Sequence, residues 1–172
     1  MVILLNKKRC YQIIFFLFLI IGIALSNVPK VSALNEGEKA SDFTLETNSN
    51  KSIRLEDLKG KIVVMNFWTT WCTYCQEEIS ELQTFYKEKG EDVELIAVNL
   101  TSSEQSKQGV LQFINQSNIP FIVPMDVNGE VAKKYNIIGI PTTFIIDKKG
   151  MITKKILGPV TADMLQQLID QL

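Results

Sequence analysis

The stretch Trp71-Cys72-Thr73-Tyr74-Cys75 follows a nearly unbroken apolar run, Ile62-Val63-Val64-Met65-Asn66-Phe67-Trp68. The run is rich in β-branched residues and follows the glycine turn Leu58-Lys59-Gly60, which predicts a central strand buried on both faces. Past the cysteines the period changes. Cys75, Ile79, Leu82 and Tyr86 line one stripe, and Glu77, Glu81, Thr84 and Glu88 line another, so an amphipathic helix is expected from Cys72 to Lys89, ending at Gly90. The cysteine pair therefore stands at a strand-to-helix junction.

That placement sets the chemistry expected of the pair. Unpaired backbone N–H groups and the helix dipole favour an anion at a helix N-terminus, so the Cys72 thiol is expected to ionise below its ordinary range and to react as thiolate. Cys75, one turn deeper, is expected to be more buried and to attack second. Cys72 would open a disulfide to form a mixed disulfide, and Cys75 would resolve it by attacking Cys72; reversed, the same steps oxidise a dithiol. A zinc site would need two more ligands, and the chain has no histidine and no further cysteine except Cys10. A purely structural disulfide would close too small a loop to stabilise much. The expectation is a redox-active Cys72–Cys75 disulfide with no metal and no other cofactor.

Outward from this junction, strands and helices alternate. Phe43 and Leu45 mark a first strand, Ser52 to Leu55 a second, and Asn48-Ser49-Asn50 the turn between them. Leu55 to Gly60 reads as a single helical turn closed by glycine. Val93 to Leu100 is a second buried strand, Glu104 to Gln116 a helix with Val110, Leu111, Phe113 and Ile114 apolar, and Phe121 to Met125 a third central strand. A short helix is expected over Asn128 to Tyr135. Gly139-Ile140-Pro141-Thr142-Thr143 leads into a strand at Phe144 to Asp147, and the turn Lys148-Lys149-Gly150 leads into another at Met151 to Leu157. The last helix starts at Thr161, with Met164, Leu165, Leu168, Ile169 and Leu172 facing inward. Together these predict an α/β fold, a mixed sheet with helices on both faces and an antiparallel edge.

The chain has 172 residues, 46% of them hydrophobic, which suits one domain with tails. Lys7, Lys8 and Arg9 precede an uncharged apolar run from Ile13 to Leu25, followed by Val31-Ser32-Ala33; basic, apolar and small in that order is an export signal. The run is short against the roughly 20 residues of a membrane-spanning helix, so removal after Ala33 is favoured, with retention as an anchor through residues 11–25 as the alternative. Residues 1–33 are thus read as leader or anchor and 34–172 as the folded domain. A lipoprotein signal would place a cysteine just past the apolar run, whereas Cys10 precedes it. Without the leader, 14 of the 18 basic residues remain against 19 acidic ones, a net charge of −5, and nothing points to nucleic acid.

Four blocks carry a resemblance: Asp42-Phe43-Thr44-Leu45, Leu58-Lys59-Gly60-Lys61, Asn66-Phe67-Trp68 with Trp71-Cys72-x-x-Cys75, and Gly139-Ile140-Pro141-Thr142-Thr143-Phe144. On these the chain resembles the TlpA/ResA group of thioredoxin-like proteins, exported bacterial thiol–disulfide oxidoreductases. The resemblance implies a thioredoxin-like sheet with an N-terminal β-hairpin and an inserted αβ element. It implies a cis bond before Pro141, which would expose the backbone of Ile140 to an extended substrate beside Trp71. It also implies that Glu78, three residues after Cys75 on the same side of the helix, tunes the thiols; from the residues alone Glu78 reads sooner as a first-turn acid complementing the helix dipole. Asn66 stands where cytosolic thioredoxins carry a buried aspartate. By the same resemblance the activity is that of a monomeric reductant outside the cytoplasmic membrane, fed by a membrane thiol-transfer protein of the CcdA/DsbD type and acting on proteins such as apocytochromes c or cell-envelope enzymes. Thr73-Tyr74 departs from the acidic residue and proline common between the cysteines, which leaves a disulfide-forming oxidant open.

Two rivals share parts of the pattern. A peroxiredoxin-type peroxidase would match Thr69-Thr70-Trp71-Cys72, but Met65 replaces the proline expected upstream and Cys75 sits in the wrong place for its second cysteine. A copper-assembly protein would carry a wider cysteine pair and a distal histidine, and the chain has no histidine.

Overall fold

A computed structural model describes residues 34–172; the expected leader, its apolar stretch 11–25 and the boundary at Ala33 lie outside them. Among the described residues no helix is long and apolar enough to cross a membrane.

The apolar run at Ile62–Trp68 forms β3, and every one of its residues is buried. Its β-branched side chains suit a pleated surface covered on both sides. The remaining strands of the sheet are β4 (Val93–Asn99), β5 (Thr142–Ile146) and β6 (Ile152–Leu157), in the order β4-β3-β5-β6. β3 and β4 are parallel, which requires a crossover, and α1 (Thr73–Glu88) supplies it. β5 is antiparallel to β3 and to β6, and Gly150 closes the β5–β6 turn at φ 85°, a left-handed conformation that glycine adopts without steric cost. The Asp147 carboxylate accepts the N–H groups of Lys149 and Met151 across that turn. A separate hairpin joins β1 (Thr44–Glu46) to β2 (Ser52–Arg54).

Alternation along the strands splits the core into two layers. Val64, Trp68, Leu95, Ala97 and Ile145 pack beneath α1, α2 (Lys107–Gln116) and α4 (Ala162–Ile169). Val63, Met65, Phe67, Ile96 and Phe144 face the other way, toward the N-terminal segment and the short helix α3 (Glu130–Lys134). Tyr135 centres that second layer, its ring 5.3 Å from Phe144, 5.6 Å from Phe67 and 6.2 Å from Phe43. Burial pushes its phenol well above the ordinary range, so it stays a donor, and it donates to the Ser41 carbonyl at 2.7 Å. Tyr135→Phe is expected to cost about 1 kcal/mol in urea unfolding, since it leaves one carbonyl without its donor and keeps the packing.

The mixed sheet, its antiparallel edge and the hairpin agree with the expectation, and three local readings differ. The segment Phe121–Met125 is not a central strand: it lies outside β4 with isolated parallel bridges at Ile96–Ile122 and Asn99–Met125. Pro120 and Pro124 lack the N–H that continuous pairing requires. Its other bonds run to the hairpin, Met125 N–H to Glu46 O and Asn48 N–H to Val123 O, so it ties hairpin and sheet together. Helix α2 starts at Lys107 rather than Glu104, because the Ser106 hydroxyl caps it by accepting the Gly109 N–H. In α4, Leu165 and Ile169 are buried, but Met164 and Leu172 are exposed: Met164 sits in the first turn on the outer side, and Leu172 lies beyond the helix.

Candidate active site

The sharp end of β3 and the start of α1 bring the two cysteines to the carboxyl edge of the sheet. Cys72 is the N-cap of α1: its Sγ accepts the Cys75 N–H at 3.2 Å, and its carbonyl accepts the Gln76 N–H. No acidic residue occupies the first turn, so the N–H groups and the positive end of the dipole are left to the sulfur. The pair is joined as a disulfide with Cα atoms 5.2 Å apart. Cys72 keeps 8% of its surface exposed and Cys75 1%, so of the two sulfurs Cys72 is the one an incoming thiol or disulfide can reach.

The peptide between Ile140 and Pro141 is cis, as the resemblance implied. It brings the Ile140 carbonyl oxygen to 3.9 Å from Cys72 Sγ. Thr142 Oγ1 donates to the Gly139 carbonyl and the Gly158 N–H to the Pro141 carbonyl, which fix the turn from both sides. Beside it runs a groove lined by Trp71, Leu100, Ser103 and residues 137–140. Trp71 is 60% exposed and Ile138 79%, so the groove presents apolar surface next to the reachable sulfur. The Trp71 indole N–H donates to the Ser103 carbonyl, which sets the ring's orientation.

Below the cysteines lies a buried polar group of three side chains. Glu78 is 2% exposed; its Oε1 accepts the Val160 N–H at 2.8 Å and its Oε2 accepts Asn66 Nδ2 at 3.0 Å. Burial raises its carboxyl to about 7, against the lowering effect of those two bonds. Asn66 Nδ2 also donates to Thr143 Oγ1 at 2.9 Å. Glu78 therefore sits past the first turn and inside the core, which removes the reading of a dipole-complementing surface acid.

One residue of the site was read differently from sequence. Glu104, expected in a helix, reaches back to the loop before Cys72. Its carboxylate accepts the Thr70 N–H and the Thr70 hydroxyl, each at 2.6 Å, and Asn99 Nδ2 at 2.9 Å. Gln76 Nε2 closes the same loop by donating to the Thr70 carbonyl. No spacing rule links Glu104 to a loop 34 residues earlier; the Ser106 cap, which ends the helix short of Glu104, was the one available signal. Glu104→Ala is expected to cost about 1–2 kcal/mol in urea unfolding of the oxidised protein, because two donors of Thr70 lose their acceptor.

A model of the AhpC/TSA family matches residues 37–155. The chain belongs to the AhpC/TSA family. Within it, the chain is 38% identical over 130 residues to sporulation thiol-disulfide oxidoreductase A of Bacillus subtilis (strain 168), covering 75% of this chain and 78% of that protein. It is 36% identical over 146 residues to thiol-disulfide oxidoreductase ResA of Bacillus thuringiensis subsp. konkukian (strain 97-27), covering 83% and 82%. The crystal structure of StoA from Bacillus subtilis superposes with a TM-score of 0.70 at 37% identity, over 75% of this chain and 96% of that one. These relatives place this family member among the ResA-like thiol–disulfide oxidoreductases of thioredoxin-like fold.

Proposed function

We propose that this oxidoreductase works outside the cytoplasmic membrane as a reductant of protein disulfides, with Cys72 as nucleophile, Cys75 as resolving thiol and Glu78 as the acceptor of its proton. The observation that carries the direction is the buried Glu78 carboxyl below the pair. An oxidising couple gains its strength from a stabilised dithiol form, usually by stabilising the thiolate. Here a carboxyl that burial raises to about 7, partly ionised at neutral pH, lies below the sulfurs, the side chains described around them include no cation, and the helix N-terminus acts alone. That balance favours the disulfide form of the protein, which is to say it favours giving electrons away.

The steps follow from the geometry. Cys72 thiolate attacks a substrate sulfur, forming one S–S bond as the substrate's own breaks, and the first substrate thiolate leaves. Cys75 passes its proton to the Glu78 carboxylate and attacks Cys72 Sγ; the mixed disulfide breaks, and the electron pair leaves on the second substrate sulfur. The protein ends oxidised and the substrate reduced. The exposed Ile138 and Trp71 would hold an apolar side chain flanking the substrate cysteine, while the backbone at Ile140, held open by the turn at Pro141, would pair with the extended substrate. No metal or further cofactor enters these steps.

The leader of basic, apolar and small residues supports export, with the domain released or held at the outer membrane face through residues 11–25. Electrons would come from a membrane thiol-transfer protein of the CcdA/DsbD type, to a monomer that serves apocytochromes c or other envelope proteins. Acid trapping of the protein in cells, followed by alkylation of free thiols, tests this reading. A reductant is expected mainly as the dithiol and should shift to the disulfide when the membrane donor is deleted; a protein found as the disulfide in both strains contradicts it. Ile138→Asp is expected to raise KM for a folded protein disulfide several-fold and leave the rate with a small aliphatic disulfide unchanged, which steady-state kinetics with both substrates would show.

A further inference from the structure

Asn66 occupies the middle of β3, fully buried, on the face that looks up at α1. Both of its Nδ2 hydrogens are committed, one to Glu78 Oε2 and one to Thr143 Oγ1. That fixes the orientation of the amide above about pH 7, where turning it over would set Oδ1 against an ionised carboxylate. The Oδ1 that remains has no hydrogen-bond partner, although buried polar groups are as a rule paired. Asn66 and Cys75 line the same small void, whose other walls, Trp68, Ile79, Leu82 and Phe121 among them, carry no charge. In the disulfide state the Cys75 sulfur has no hydrogen to give.

From this geometry we infer that Asn66 Oδ1 is the acceptor for the Cys75 S–H in the reduced protein. The inference deepens the proposed function and rests on Cys75 being the resolving thiol. Reduction adds a proton to Cys75 in the place where an orphan acceptor stands, so the bond forms in one redox state only. A thiol that donates to a neutral carbonyl is stabilised over its thiolate, which cannot donate, and the negative end of the amide dipole opposes the thiolate further. Asn66 is thus a positioning residue with two tasks: its Nδ2 holds the Glu78 carboxylate in place, and its Oδ1 keeps Cys75 protonated until Cys72 is engaged in a mixed disulfide. The titratable groups nearest Cys75 are Cys72, the N-cap of α1, and Glu78 within it, and the residues from β3, β4 and the 119–121 segment that wall the void add none.

The test uses the infrared S–H stretching band of Cys75 in the Cys72→Ser protein at about pH 8, above the value of about 7 to which burial raises Glu78. A hydrogen-bonded S–H absorbs at lower frequency than the same thiol in the denaturant-unfolded chain. The expected result is a lowered, broadened band in Cys72→Ser that returns to the unbonded position when Asn66→Leu or Asn66→Ala is added. The pH dependence of Cys75 alkylation should move with it, the apparent pKa falling by about one unit in either double variant. A purely structural role for Asn66 would lower stability without moving the band. A band at the unbonded position in the Cys72→Ser protein itself overturns the inference, even if neither double variant folds, and it does so whichever way the protein moves electrons in the cell.

Discussion

Cys72→Ser is expected to lower the rate of disulfide exchange with any protein substrate on the order of a thousandfold or more, while the fold and its urea stability under reducing conditions change little. A serine hydroxyl is not ionised at neutral pH, so the helix N-terminus has no anion to stabilise and no nucleophile to present. Cys75→Ser should behave differently. It keeps the reachable nucleophile and loses the resolving step, so a mixed disulfide with substrate should accumulate and be visible as a reducible band on a non-reducing gel. If the two variants trapped substrate equally, the assignment of roles by exposure, 8% against 1%, would be wrong.

The second large effect belongs to Glu78. In the folded protein its carboxyl keeps its proton up to about pH 7, whereas in the unfolded chain it releases it near its ordinary value of 4.5. Between those two values the native state binds one proton more than the unfolded state, so stability falls as pH rises, by about 1.4 kcal/mol per unit, and levels off above 7. The stabilising contribution is full below pH 4.5 and lost as pH rises through 7. Glu78→Gln removes that dependence, while glutamine still accepts the Val160 N–H through its oxygen. The oxidised variant should therefore gain on the native protein by about 2–3 kcal/mol between pH 5 and pH 8, measured as the difference of two urea titrations. Parallel stability profiles would show that the carboxyl is not buried as described. In activity the variant should lose the rise through pH 7 and resolve the mixed disulfide about a hundredfold more slowly, since no base remains beside Cys75.

Much of this arrangement was legible because it follows from local periodicity. The change from the unbroken run at Ile62–Trp68 to the three-to-four spacing of Cys75, Ile79 and Leu82 locates the strand, the helix and the cysteines at their junction. Glu78 could be placed on the inner side of α1 from the same spacing, but its nearly complete burial depends on Val160 and Asn66, residues 82 and 12 positions away. Long-range contacts of that kind leave no periodic trace. Phe121–Met125 shows the opposite limit: its composition is that of a strand, and Pro120 before it and Pro124 within it, which decide that it lies at the edge, carry their effect only once the neighbouring strand is known. Met164 and Leu172 are apolar residues that miss the core, Met164 because it lies on the outer side of the first turn of α4 and Leu172 because the helix ends before it. Nothing in Gly139-Ile140-Pro141-Thr142-Thr143 itself distinguishes a cis from a trans bond before Pro141, and only the resemblance, which includes the cysteine pair, pointed to cis.

The central claim, that the geometry around Cys72 and Cys75 makes a reductant, is tested most directly by the equilibrium reduction potential of the pair in the 34–172 protein, titrated against redox buffers at neutral pH. The account predicts a value near that of thioredoxin, about −270 mV; a value near −120 mV, that of a strong disulfide donor, would contradict it.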